Sequence, residues 1–88
     1  MLVFNNGFTI QKGTFSSNET YANVIFPTTF SHTNFVIIVL DYNTSWTTEV
    51  PTVRTFCEAY TQRKTSGTRI LCTLADMGAV EYIVIGRN

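Results

Sequence analysis

The chain has 88 residues, of which 44% are hydrophobic and only 14% are charged, and its formal net charge at pH 7 is zero. A typical globular domain carries about 25% charged residues, and the longest basic run here is Arg63-Lys64. This balance argues against binding to nucleic acid or to an anionic membrane surface, and no apolar run approaches the roughly 20 residues of a membrane helix. We therefore expect one soluble domain, residues 1–88, with more apolar surface than so small a monomer can bury.

The first predicted strand is Phe8 to Phe15, in which apolar and polar residues alternate. It follows a short apolar pair, Val3-Phe4, and the turn signal Asn5-Asn6-Gly7, where Asn and Gly can adopt positive φ. Gly13 within the strand indicates either a bulge or a close backbone approach.

The second predicted strand, Tyr21 to Phe26, ends at Pro27, which cannot donate a hydrogen bond to a β-ladder. We expect the ring of Phe30 to anchor the loop that follows. The third segment, Phe35 to Tyr42, contains six consecutive apolar residues. This run predicts the central strand of the domain, covered on both faces.

The longest polar segment, Tyr42 to Pro51, contains the only tryptophan. Long loops held by a rigid β scaffold are common binding sites, although Trp46 could equally fold back and cap the core. If this segment is a binding loop, we expect Tyr42 and Trp46 to stack against a sugar ring. The expected hydrogen-bonding partners of the sugar are Asn43, Thr44, Glu49 and Arg54.

Three more strands complete the predicted fold. Val53 to Gln62 is predicted to be a long strand whose second face mixes aromatic, basic and acidic groups, as a subunit interface does. A turn at Arg63 to Gly67 leads to a strand from Thr68 to Ala75, and the last strand is Val80 to Gly86. Six to seven short strands without helical periodicity predict an all-β protein, a small antiparallel β-sandwich.

Cys57 and Cys72 are the only cysteines, and the predicted hairpin places them about opposite one another. A cross-strand disulfide is therefore conceivable. The alternation instead points both thiols toward an apolar layer, which favours reduced cysteines that are buried as small hydrophobic residues.

The sequence has no pattern typical of a catalytic or metal site. His32 is the only histidine, no cysteine pair has zinc-ligand spacing, and the carboxylates are too scattered to suggest an acid/base pair, although such pairs could form between copies. Cys57 lacks a nearby base that would activate it as a nucleophile. We therefore expect no enzymatic activity, no metal and no cofactor.

Three segments of the sequence together resemble one protein family. They are Phe4 to Gly13, with an Asn-Gly turn, an apolar strand, Gln and Gly; Asn23 to Phe30, with Phe-Pro and a second Phe; and the final strand Tyr82 to Gly86. In this order they resemble the C-terminal domain of bacteriophage tail fibres, the receptor-binding tip of many fibre chains. That family often has Trp where this chain has Lys12, and its last strand is richer in aromatic residues. The second and third segments are also similar to H-type lectin domains, which are trimeric sandwiches that bind sugars between subunits.

The resemblance implies an H-type lectin-like homotrimer at the distal end of a tail fibre in the virion, with residues 1–88 as the C-terminal tip of a longer chain. Such a tip would attach the particle to a bacterial surface polysaccharide, a lipopolysaccharide or an outer-membrane protein. The alternative is a structural module that trimerises or caps the fibre without binding a ligand.

Overall fold

Seven β-strands and one short 3-10 helix make up the part of the chain that the computed structural model describes, residues 2–3, 6–40, 55–73 and 79–88. The strands form two antiparallel sheets, which we call the front sheet, with the order β1-β2-β7-β4, and the back sheet, with the order β3-β6-β5. The prediction of a small antiparallel β-sandwich is confirmed. The elements are β1 (Leu2–Val3), β2 (Phe8–Phe15), β3 (Tyr21–Ile25), β4 (Val36–Leu40), β5 (Phe56–Glu58), the 3-10 helix (Tyr60–Gln62), β6 (Gly67–Cys72) and β7 (Val80–Arg87).

The core lies between the two sheets and is formed by alternate residues of their strands. On β7 the buried residues are Val80, Tyr82 and Val84, and on β3 they are Ala22 and Val24. Successive side chains of a strand point to opposite faces of its sheet, so each of these strands presents its other residues outward. The composition of those outward faces decides which surfaces the sandwich offers to partners.

An aromatic cluster closes one end of the core. The ring centroid of Phe26 lies 4.9 Å from that of Phe35 and 5.3 Å from that of Phe30, both in edge-to-face geometry, which aromatic pairs favour. Phe30 is buried and anchors the loop between β3 and β4, as the sequence predicts. Gly86 provides the space for this packing, since a Cβ there would lie 3.0 Å from the Phe30 ring.

Two further glycines have the roles that the sequence indicates. Gly7 adopts a φ of 85° in the turn before β2. At Gly13 a Cβ would collide with the ring of Tyr82, while the pairing of β2 with β7 continues without a break from Phe8 to Phe15. Gly13 therefore marks a close approach and not a bulge.

The predicted central strand lies at an edge of the front sheet. Among the described strands β4 pairs only with β7, whereas β7 pairs with both β2 and β4. The outward residues Val36, Ile38 and Leu40 are 58%, 46% and 39% exposed. The prediction of a central strand covered on both faces is therefore wrong within one chain, because one apolar face packs in the core and the other faces outward.

The predicted long strand from Val53 to Gln62 is interrupted. Strand β5 ends at Glu58, and a backbone hydrogen bond from Gln62 N–H to the Ala59 carbonyl, at 2.8 Å, closes a 3-10 turn. The proposed interface face of that strand is therefore not a continuous surface between Phe56 and Gln62.

The two cysteines lie on opposite faces of the back sheet. Cys72 is opposite Phe56, and Cys57 is opposite Leu71, one position further along the ladder. Both thiols are free, as the sequence favours, but only Cys72 is buried and Cys57 is exposed. The prediction that both thiols face an apolar layer is wrong for Cys57, since the register turns it outward.

We expect one fast-reacting thiol per native chain. A thiol must be accessible to react with a reagent such as Ellman's reagent, so Cys57 should react in the folded protein and Cys72 only after denaturation. The Cys57→Ser variant should lose the fast phase, and Cys72→Ser should keep it. Two fast thiols in the native protein would contradict the observed register.

Gln11 fastens the loop after β3 to the front sheet. Its side chain is 1% exposed; Nε2 donates to the Thr28 carbonyl, and Oε1 accepts from the Thr28 backbone N–H, both at 2.8 Å. Thr9, on the same face of β2, is also buried, but its Oγ1 has no hydrogen-bond partner among the described residues. Gln11 therefore stabilises the loop through two hydrogen bonds, whereas the buried Thr9 hydroxyl has no hydrogen bond to offset its desolvation.

We expect Gln11→Met to lower the free energy of unfolding by about 2–3 kcal/mol, because both backbone groups of Thr28 lose their partner. Thr9→Val, the matched control, should leave that free energy unchanged or raise it by about 1 kcal/mol, since it removes a desolvated hydroxyl without a bond. Urea denaturation of both variants measures the difference. Equal losses in the two variants would contradict the assignment.

Candidate functional site

The ligand-binding residues predicted from the sequence lie outside the described residues. They therefore stay predictions, and the surfaces considered below are the outward faces of the two sheets. The predicted residues are Tyr42, Asn43, Thr44, Trp46, Glu49 and Arg54.

The outward face of the front sheet is aliphatic. The register places Leu2 opposite Ile10, Ile10 opposite Ile85, and Ile85 opposite Val36, so one apolar row crosses all four strands. A second row begins beside it, where β7 and β4 are again apolar at paired positions. We call this surface the aliphatic face; its members are Leu2, Ile10, Val36, Ile38, Leu40, Ile83 and Ile85.

The charged groups on this side of the molecule are already partnered. Lys12 lies opposite Ile83 in the ladder, and its Nζ lies 3.5 Å from Oε1 of Glu81. The guanidinium of Arg87 lies 4.8 Å from the centroid of the Phe8 ring. An apolar surface that covered the aliphatic face would therefore meet no isolated charge among these residues.

The aliphatic face is of moderate size. It takes about five residues each from β7 and β4 and about two each from β1 and β2, so at about 4.8 Å between strands and about 3.3 Å per residue it spans roughly 200–250 Å². The largest apolar patch on a monomeric protein is commonly a few hundred Å² and is often functional.

The outward face of the back sheet carries a polar cleft with a volume of about 330 Å³. Asn23 of β3 and Arg69 of β6 are directly opposite one another in the ladder, and Arg69 Nε donates to Asn23 Oδ1 at 3.0 Å. The Arg69 guanidinium also lies 4.7 Å from the centroid of the Tyr21 ring. We call this site the back cleft; its lining is Asn23, Val24, Ile25, Gln62, Lys64, Ser66, Gly67, Thr68 and Arg69.

The back cleft is positively charged. Lys64 and Arg69 are the charged members of its lining, and none of the described lining residues is acidic. At its rim, a hydrogen bond with the Glu19 carboxylate raises the pKa of Tyr21, so this phenol stays protonated at neutral pH. The site therefore offers cationic and neutral hydrogen-bonding groups together.

A second polar cluster, formed around Arg63 and Glu58, has its hydrogen-bonding groups engaged. Arg63 donates from Nε to both carboxylate oxygens of Glu58 at 3.0 Å and from Nη2 to Oε1 at 2.8 Å, while Thr68 Oγ1 donates to Oε2 at 2.8 Å. Arg63 Nη1 donates to the Thr33 carbonyl at 2.8 Å. Because these bonds fix the Glu58 carboxylate, the cluster is suited to stabilising the fold and not to proton transfer.

Comparisons with known proteins supply no relative. No family model matches the chain, and neither the curated proteins nor the solved structures contain a significant match. Within the described ranges there is no group of three or more His, Cys, Asp or Glu side chains that could hold a metal ion. The helical residues of the same ranges form no segment long and apolar enough to cross a membrane.

Sequence reasoning missed the back cleft but had a signal for the aliphatic face. The segment Val36 to Leu40 is apolar at every position, and Tyr82 to Ile85 is too. Two such strands side by side leave an apolar outer face unless another layer covers it. The cleft had no comparable signal, since Asn23 and Arg69 are 46 residues apart.

Proposed function

We propose that this chain is a host-receptor-binding tip at the distal end of a bacteriophage tail fibre, active as a homotrimer. The observation that carries the proposal is the aliphatic face, an apolar sheet surface whose neighbouring charges are internally partnered. A small sandwich with this surface is suited to assembly with copies of itself.

The three segments on which the proposal of a tail-fibre tip rests contact one another in the fold. Gln11 of the first segment binds Thr28 of the second through two hydrogen bonds. Tyr82 of the third segment packs on Gly13 of the first, and Gly86 makes room for Phe30 of the second. These residues thus form one structural unit although up to 75 positions separate them.

Copies of this chain are the occupant that we propose for the aliphatic face. The zero net charge of the chain places no long-range repulsion between copies. A standard pairwise interface takes about 800 Å² from each partner, roughly three to four times the area of this face, so two copies packed through it alone would associate weakly. A closed ring of three, in which each copy contacts two neighbours, supplies more contact per copy.

The receptor proposed for this trimer is a bacterial surface polysaccharide, a lipopolysaccharide or an outer-membrane protein. The predicted stacking residues Tyr42 and Trp46 belong to a polar segment, and the sequence predicts that this segment is a binding loop held by the β scaffold. Polar loops with aromatic residues suit a hydroxyl-rich ligand, because the ring covers its apolar face while amides and hydroxyls bind its polar edge.

Binding of the purified, fluorescently labelled chain to a panel of bacterial strains tests this function. We expect saturable binding to at least one strain, and a loss of about tenfold or more in Trp46→Ala with the oligomeric mass unchanged. Trp46→Phe, the conservative control, should keep most of the binding. Absence of saturable binding to every strain of the panel would contradict the proposal.

The alternative is a structural module that trimerises or caps the fibre without binding a ligand. The aliphatic face favours assembly in this case as well, so both proposals predict the same oligomer. They differ in adsorption: a trimer of normal mass that binds no host cell would identify the capping module.

A further inference from the structure

We propose that the back cleft binds an anionic saccharide, a sugar chain that carries carboxylate or phosphate groups. This inference rests on the proposed receptor-binding function and adds both a second contact site and the charge class of the ligand. The residues of this site belong to β3, the 3-10 helix, β6 and the turn before β6. None of them is among residues 42–51, where the sequence predicts the first contact site.

The charges that line the back cleft indicate that its ligand is an anion. Lys64 and Arg69 both line the cleft, no described lining residue is acidic, and Lys64 Nζ has no ion pair with a described carboxylate. The other positive groups with described contacts are engaged elsewhere, as in the pairing of Lys12 with Glu81. The back cleft therefore offers an anion two cationic partners that form no ion pair with a described carboxylate, and the Glu19 carboxylate at its rim is bonded to Tyr21.

Arg69 is held in a fixed orientation before any ligand binds. Its Nε donates to Asn23 Oδ1, and its guanidinium plane lies over the Tyr21 ring. No hydrogen bond joins its two Nη groups to another described residue, so they remain available as donors. A planar guanidinium fixed in this way suits two-point binding of a carboxylate or a phosphate.

The neutral groups of the cleft suit the remainder of a sugar. Gln62 and Ser66 can donate to or accept from hydroxyl groups. Ile25, which is 80% exposed, offers an apolar wall. The volume of about 330 Å³ is at the lower limit for small-molecule sites and fits one or two sugar units.

The cleft and the aliphatic face lie on opposite sides of the sandwich. The cleft is on the outward face of the back sheet, whereas the aliphatic face belongs to the front sheet. In the proposed assembly through the front sheet, the aliphatic face is covered and the described residues of the cleft face away from it. Three clefts on one trimer can bind a repeating polysaccharide with avidity well above that of a single site.

Titration of the intact chain, followed by amide chemical shifts, tests the inference with three probes. These are a trisaccharide of galacturonic acid, the neutral trisaccharide of galactose, and inorganic phosphate. We expect the acidic trisaccharide to bind, to shift amides in residues 23–25 and 62–69, and to weaken as salt is raised. The neutral trisaccharide should bind at least about tenfold more weakly, since it lacks the charge-assisted hydrogen bonds.

Two variants and one control locate the binding groups. Lys64→Gln should weaken the acidic trisaccharide about tenfold or more, and Arg69→Lys should weaken it although the charge is kept, because the two-point donor is lost. Lys12→Gln removes an equal charge from the opposite side and should leave the affinity unchanged. Equal losses in Lys12→Gln and Lys64→Gln would overturn the inference, as would equal affinities for the acidic and neutral sugars.

The phosphate titration separates a saccharide site from a simple anion site. Phosphate binding as tight as that of the acidic trisaccharide would overturn the assignment to a sugar. Failure of this inference can be distinguished from failure of the proposed function. If Lys64→Gln and Arg69→Lys bind whole cells normally, the receptor-binding proposal stands and the cleft is not the binding site. If the chain binds the acidic trisaccharide at the cleft but adsorbs to no cell, the cleft proposal stands and the receptor-binding proposal fails.

Discussion

Replacement of Ile38 by lysine should dissociate the proposed trimer into folded monomers. Ile38 lies in the aliphatic face and is 46% exposed within one chain, so a lysine there remains solvated in the monomer. In the trimer the same ammonium group would be buried against apolar surface, at a cost of several kcal/mol for each copy. Light scattering at micromolar concentration should show a fall from about 30 kDa, three chains of 9.9 kDa, to the mass of one chain.

Ile25→Lys is the matched control for this change. Ile25 is 80% exposed, but it lies on the outward face of the back sheet. The control should keep the trimer, while circular dichroism should show β structure in both variants. Dissociation by Ile25→Lys to the same extent, or a parent chain that is already monomeric at this concentration, would contradict assembly through the aliphatic face.

Strands with one polar face could be located closely from the sequence. The predicted strand from Phe8 to Phe15 coincides with β2, and the predicted strand from Val80 to Gly86 lies within β7. Alternation with a period of two identifies a strand, but it did not identify the buried face of β2, where the polar residues Thr9 and Gln11 are buried and Ile10 faces outward. Alternation also could not show that the predicted strand from Val53 to Gln62 gives way to a 3-10 helix, because that turn depends on the backbone bond between Gln62 and Ala59 and not on local polarity.

The apolar run of β4 shows a different limit of sequence reasoning. A strand that is apolar on both faces predicts two covering layers, but it does not say whether each layer belongs to the same chain. Among the residues that the structure describes, β4 is covered on the side of Ile37 and Val39, which pack against the core. The missing second layer is what our proposal assigns to neighbouring copies.

The candidate sites differ in how well they could be predicted from the sequence. The segment containing Trp46 is predicted to be a binding loop from its length and composition, which are local properties. The back cleft depends on which strands pair: β3 and β6 bring Asn23 and Arg69 together, and the tight turn before Gly67 adds Lys64. Strand order is a property of the whole fold, so a site formed by pairing has no local pattern in the sequence.

Replacement of Arg63 by methionine should cause the largest loss of stability of any single change considered. Arg63 and Glu58 are each 17% exposed, and the guanidinium binds both the Glu58 carboxylate and the Thr33 carbonyl. It also lies 4.2 Å from the centroid of the Phe35 ring. Its removal leaves a largely buried carboxylate without its cation, which typically costs about 3–5 kcal/mol. For a domain of this size the Tm should fall by at least about 12 °C.

A double-mutant cycle distinguishes the unpaired charge from lost packing. Glu58→Met with Arg63→Met should be more stable than Arg63→Met alone, because no buried charge is then left without a partner. Arg69→Met, at an arginine on the outward face of the back sheet, should cost less than about 1 kcal/mol. Urea denaturation at one fixed protein concentration measures the parent chain, Arg63→Met, Glu58→Met, the double variant and Arg69→Met, since association makes apparent stability depend on concentration. Additive losses in the double variant would show that Arg63 stabilises the fold by its contacts with Phe35 and Thr33 and not by pairing with Glu58.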